Sequence, residues 1–164
     1  MAELTKLEAK LAEVTGLAMA AQAATKKVSS LAKEEHPELV SRLERMHEEA
    51  AETERRCTDI ADGLDGKKTA ILEEARATKS KGGEMMDTYL DDDADTLDGF
   101  EFLTMAEAGE VGHWSVLKKL NEKKGMAEID ELVSWALPIQ EGHLKRVTET
   151  SLELASSEDP DEEA

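Results

Sequence analysis

The sequence predicts an all-α fold, and three observations predict it. Aromatic residues make up 3% of the chain and prolines number three, whereas sheets draw on aromatic and β-branched side chains. The hydrophobic 40% is mostly Ala and Leu. These residues recur in alternating steps of three and four over long stretches, the spacing of a helix packed against other helices. A length of 164 residues gives one domain with a sizeable core and is short for two.

Helix 1 is expected from about residue 3 to 32, on the seam Leu4, Leu7, Leu11, Val14, Ala18, Ala21, Thr25 and Val28. It should stop near His36-Pro37, because the residue before proline is driven out of the α region and proline suits the first turn of the next helix. Helix 2 follows with Leu39, Leu43, Met46, Ala50, Thr53, Cys57, Ile60 and Leu64, and ends at Gly63 and Asp65-Gly66. From Lys67 to Asp98 the periodicity weakens around Gly82-Gly83 and Asp91-Asp92-Asp93, which reads as a long crossover holding one or two helical pieces. Helix 3, from about residue 97 or 99 to 121, has Leu103, Ala106, Glu110, His113, Leu117 and Leu120 in alternation, closed by Lys123-Lys124-Gly125. Helix 4, from about 127 to 154, has Ile129, Val133, Ala136, Gln140, His143 and Val147, with Pro138 expected to kink it. Two long helices, a crossover and two more long helices make a four-helix bundle with the connectivity of the ferritin-like class. It occupies residues 1–155, and 156–164 read as a disordered acidic tail.

Twenty Lys and Arg against 38 Asp and Glu give a formal charge of −18, which repels a nucleic-acid backbone. A single cysteine, Cys57, allows no internal disulfide, so a reducing, cytoplasmic setting is expected. No apolar stretch approaches the roughly 18 residues that span a bilayer, and no signal peptide is expected. Asp91-Asp92-Asp93-Ala94-Asp95 lacks the glycine and distal glutamate of a calcium loop, and Gly82-Gly83 lacks the lysine of a phosphate loop.

The chain has four histidines, and three fall in expected helices with a partner three residues earlier: Glu44 with His47, Glu110 with His113, and Gln140 with His143. That spacing puts both side chains on one helix face. In di-iron and di-manganese carboxylate bundles it lets a carboxylate and an imidazole of one helix reach the same metal. Glu110 and His113 fall on the helix 3 seam, where an unpaired carboxylate is costly and a metal, a Glu110 to His113 hydrogen bond or a water-filled gap near Gly109 and Gly112 would account for it. Glu44 and His47 lie one step off the helix 2 seam, on a flank that suits a solvated face as well as a ligand. Glu48, Glu49, Glu52 and Glu54 read mainly as charged surface, with Glu48 a candidate to complete a site. His143 is on the helix 4 seam, and helix 1 brings no seam carboxylate, its nearest polar residue being Gln22.

Leu31-Ala32 through Leu39, Leu43 and Glu48-Glu49, the run Ala106-Glu107-Ala108-Gly109-Glu110-Val111-Gly112-His113-Trp114, and Leu132-Val133-Ser134-Trp135-Ala136-Leu137 together resemble the bacterial YciE/YciF-type stress-associated ferritin-like family over most of residues 15 to 150. The resemblance implies a homodimer with a di-metal site and a role in stress. On this chain the family's helix 1 glutamate falls near Ala21 or Gln22 and its helix 2 carboxylates match Glu48 and Glu49. Its helix 3 run becomes Gly112-His113-Trp114, and its helix 4 acids fall near Ile139 and Gln140.

Two functions follow as expectations. One is a ferritin-like protein whose iron or manganese pair handles iron or oxidative stress, held by Glu110, His113, His143, Glu44, His47, Glu48 and Gln140. The other is a non-enzymatic bundle that has lost the metal site and acts through protein contacts.

Overall fold

The computed structural model describes residues 1–163. Among them are five α-helices and no strand: α1 (Lys6–Glu35), α2 (Val40–Gly63), α3 (Lys68–Tyr89), α4 (Thr96–Lys124) and α5 (Ala127–Ala155), with a 3-10 turn, Pro37–Leu39, leading into α2. The all-α expectation holds. The stretch read as a crossover with one or two helical pieces is one helix of 22 residues that runs straight through Gly82-Gly83. Residues 156–163 continue as turns and bends beyond α5, and Ala164 of the expected tail lies outside the described residues.

Local chemistry sets the ends. Thr5 and Glu8 form a reciprocal capping box at the start of α1, as Asp95 and Asp98 do for α4. Gly125 closes α4 at φ 73°, a left-handed backbone that glycine adopts without a Cβ penalty. The buried Asn121 side chain donates to the Met126 carbonyl at 2.9 Å and to Asp130 Oδ1 at 2.7 Å, while the Met126 N–H donates back at 3.1 Å. That ties the turn between α4 and α5. Helix α5 continues through Pro138 without interruption.

Helix α1 is central and packs against α2, α3 and α4, while α5 packs against α4 and α2. Lys67 meets Glu8, Gly16 meets Ala75 and Gly82 meets Ala20, so α3 runs parallel to α1. Thr96 donates to Leu31 O and His113 faces Glu13, so α4 runs antiparallel to α1. Glu49 faces His143 and Arg56 lies 4.0 Å over the Trp135 ring, which sets α5 antiparallel to α2. Helices α1, α3 and α5 therefore point one way and α2 and α4 the other.

Glycine permits the closest of these contacts. A Cβ at Gly16 would stand 2.3 Å from the Ala75 carbonyl oxygen and 2.6 Å from the Thr78 Cβ, and a backbone atom cannot step aside as a flexible side chain can. Alanine in a helix interior normally gains about 1 kcal/mol over glycine. Here overpacking outweighs that gain, and Gly16→Ala is expected to lower the unfolding free energy by about 1–3 kcal/mol in urea titration. An unchanged midpoint would mean that α3 is not held this close.

The core divides in two. One apolar cluster joins Leu7 to Val14 of α1 with Cys57, Ile71, Trp114, Leu117 and Ile129 to Ala136. The other joins Ala24 to Ala32 of α1 with Leu43, Met46, Phe100, Leu103, Val147 and Leu154. Burial pushes the Cys57 thiol up to about 12, so it packs as a small apolar group and is no nucleophile. Between the two clusters the bundle interior turns polar.

Candidate functional site

The polar layer is built by three helices. Helix α4 contributes Glu107 and Glu110, one turn apart and 2% and 3% exposed; α5 contributes Gln140 and His143, also one turn apart and 1% and 2% exposed. Helix α2 contributes the half-buried Glu49. The steps of three on α4 and α5 place each pair on the inward face.

His143 is the hub. Its Nε2 is hydrogen-bonded to Glu49, and its Nδ1 lies 3.6 Å from Glu107 Oε2. Burial disfavours the imidazolium, but the nearby Glu107 carboxyl and the hydrogen-bonded Glu49 carboxyl outweigh it and hold the ring above its ordinary value. The Glu49 carboxyl is likewise pushed up by burial and pulled down further by Arg45 and His143, ending below the usual range; Arg45 Nε donates to it at 2.9 Å from the surface side. Gln140 links the other arm. Both of its neighbours are carboxyl oxygens, so its amide nitrogen turns toward them, donating to Glu107 Oε2 at 2.8 Å and Glu110 Oε2 at 3.2 Å. Burial, and then the charge on Glu107, push the Glu110 carboxyl well above the usual carboxylate range. The layer is thus a chain: Glu49, His143, Glu107, Gln140, Glu110. The carboxyl groups on either side of His143 favour a proton on its ring, and burial favours the protonated form of Glu110 at the far end.

Of the residues expected at a site, Glu110, Gln140 and His143 come together here. His113 does not join them: it is one turn on from Glu110 but half-exposed, with Lys10 Nζ donating to its Nδ1 at 3.1 Å and Glu13 at 3.4 Å. Glu44, His47 and Glu48 line a separate polar groove between α1 and α2, beside Lys26 and Lys33. There the His47 Nδ1–H donates to the Gln22 carbonyl at 3.0 Å, and Glu44 and Glu48 are exposed. Glu49 and Glu107 take the places expected for Glu48 and His113. The helix α4 seam explains the second exchange, since Leu103, Glu107, Glu110, Trp114, Leu117 and Asn121 also alternate by three and four and are buried, while Ala106 and His113 fall on the flank.

Comparison with protein-family models, curated proteins and solved structures finds no match.

The donor set can be tested against the metal pair of carboxylate bundles, which draw a glutamate from each of two helices and Glu-x-x-His from each of the other two. Helix α1 presents Ala18 and Ala21 between the two apolar clusters, α5 presents Gln-x-x-His, and one imidazole is available instead of two. A metal-binding imidazole keeps one ring nitrogen free for the ion, yet both nitrogens of His143 face carboxylates. Among the described residues no group of three or more His, Cys, Asp or Glu is arranged to hold a metal ion. As arranged, these residues do not fit a di-metal centre. Nor is any helix among them long and apolar enough to cross a membrane.

Proposed function

We propose that the chain is a ferritin-like helical bundle whose mid-bundle layer has become a self-neutralised acid–imidazole network, and that it acts by binding and not by redox turnover at a di-iron or di-manganese pair. Two features support the scaffold: α2 and α4 run parallel, and α3 passes outside on α1 to join them, as a single long crossover requires. The observation that carries the loss of the metal pair is His143, held at one nitrogen by Glu49 and facing Glu107 with the other. A protonated imidazole supplies there the positive charge that buried carboxylates otherwise take from a metal.

Metal analysis by mass spectrometry tests this on untagged protein from cells grown with added iron and manganese. An anaerobic ferrous titration followed by air is read in the ultraviolet and visible range beside it. The expected result is substoichiometric metal, no charge-transfer band and no rise in melting temperature with either ion. Two ions per chain that disappear in His143→Ala would overturn the reading.

A further inference from the structure

We propose that the cleft between α3 and α4, floored by α1, binds a small amphipathic amine, its ammonium on Glu110 and Glu107 and its apolar chain along α1. The inference rests on the reading above, because a metal at these carboxyls would compete for them.

The cleft is a cavity of about 210 Å³ with Glu107 and Glu110 in its wall. Its other walls are apolar: Leu17, Ala20, Ala21 and Ala24 of α1, with Phe102 and Leu103 of α4. Ala20, Ala21 and Ala24, with their short side chains, leave this room between α3 and α4. Met85 and Met105, 47% and 38% exposed, stand in its wall as flexible side chains able to fit ligands of different outline. Dry cavities near 150 Å³ accept benzene, so this one suits a chain of roughly six or seven heavy atoms.

The polar end selects the head group. Glu107 receives Gln140 and faces His143, but Glu110 receives only the longer of the two Gln140 contacts. No other hydrogen bond offsets the burial of its carboxyl. A carboxyl short of donors in an apolar wall calls for a group that brings donors and positive charge, and an ammonium is three donors with no acceptor. Anions meet like charge, and neutral molecules gain only the apolar wall. The other titratable groups are arranged around this end. His143 of α5 and Glu49 of α2 lie behind Glu107, and His113 lines the cavity on its Glu13 and Lys10 side. Helix α3 contributes Gly82 and Met85 and no charge. Because burial favours the protonated Glu110 carboxyl, the alkylammonium displaces that proton as it binds: the O–H bond breaks, the proton leaves to solvent, and an ammonium N–H bonds to the carboxylate in its place.

The test titrates the full chain with n-hexylamine at pH 7 by calorimetry, in two buffers of different ionisation enthalpy, beside 1-hexanol and hexanoate. Expected are one saturable amine site per chain, net proton release, alcohol binding weaker by about tenfold or more, the loss of one charged hydrogen bond, and no hexanoate binding. Ala21→Leu, which fills the cleft, should abolish binding, and Glu110→Gln should weaken it about tenfold and remove the proton release. Because Ala21→Leu could also disturb folding, the methyl resonances of Met85 and Met105 in the unsubstituted protein give a second readout and should shift with amine alone. Equal binding of alcohol and amine, or no binding in metal-free protein, would overturn the inference. Bound metal in the same samples would overturn the proposed function instead, so the two failures are told apart.

Discussion

His143→Ala is expected to lower the unfolding free energy at pH 7 by about 3–5 kcal/mol, the cost of removing one partner from a buried ion pair. Folded domains are stable by only about 5–15 kcal/mol, so the variant should sit near the edge of folding. The reason is asymmetric. His143 is 2% exposed and Glu107 equally so, and without the imidazolium Glu107 keeps only the amide of Gln140, while Glu49 retreats to Arg45. A buried carboxylate then has to protonate, turn toward water or unfold the layer. The cost should be smaller in acid, since protonating a buried carboxylate removes an unpaired charge. Glu107→Gln combined with His143→Gln should recover much of the loss, since neutral amides leave no unpaired charge. Urea titrations of the single and double variants at pH 5 and pH 7 give the comparison. A single-variant cost under about 1 kcal/mol at pH 7, as for an exposed ion pair, would mean the layer is solvated.

What the sequence reveals of this arrangement depends on whether the deciding contact is local. The seams of α1, α2 and α5 are legible because their apolar residues repeat without competition; Gln140 and His143 fall on the α5 seam in any register. Helix α4 offers two registers. Ala106 with His113 and Glu107 with Trp114 alternate equally well, and the second is adopted because an indole fills the inter-helix space that an alanine and an imidazole would leave. Trp114 is fully buried, and its Nε1–H has no partner among the described residues, a polar cost accepted for that packing. Glu49 is hidden for another reason: it is one acid among 38, and what distinguishes it, His143, lies 94 residues away. In α3 one of the two glycines that look like breakers, Gly82, is what allows the helix to lie where it does, while a Cβ at Gly83 would meet open space. Gly82 faces Ala20 so closely that a Cβ would stand 2.8 Å from the alanine's own, and only the folded partner discloses that. Local propensity is overruled there by tertiary contact.

The same layer sets an unusual dependence of stability on pH. Burial holds Glu110 protonated well above pH 4.5, its ordinary value, and the carboxylates around His143 hold its proton above 6.5. In both cases the folded state binds more protons than the unfolded one, so stability falls as pH rises. The Glu110 contribution is complete below pH 4.5 and is lost upward to its folded value; that of His143 is complete below 6.5 and is lost as pH climbs through its own. Each can take up to about 1.4 kcal/mol per pH unit within its window. Opposing them, Glu49 and Glu8 are held below 4.5 and lose their stabilisation as pH falls below it. Stability should therefore peak at about pH 4.5 to 5, where the two sets of contributions cross, and decline from there toward pH 9, more steeply once His143 joins above 6.5. Glu110→Gln separates the two contributions, because its amide oxygen can still accept from Gln140 while nothing remains to ionise. This variant should match or exceed the parent at pH 8 and flatten the alkaline slope, leaving only the His143 part. Thermal and urea unfolding of both proteins from pH 4 to 9 provide the check. A parent profile that is flat or rising from pH 6 to 9 would show that neither proton is held in the folded bundle.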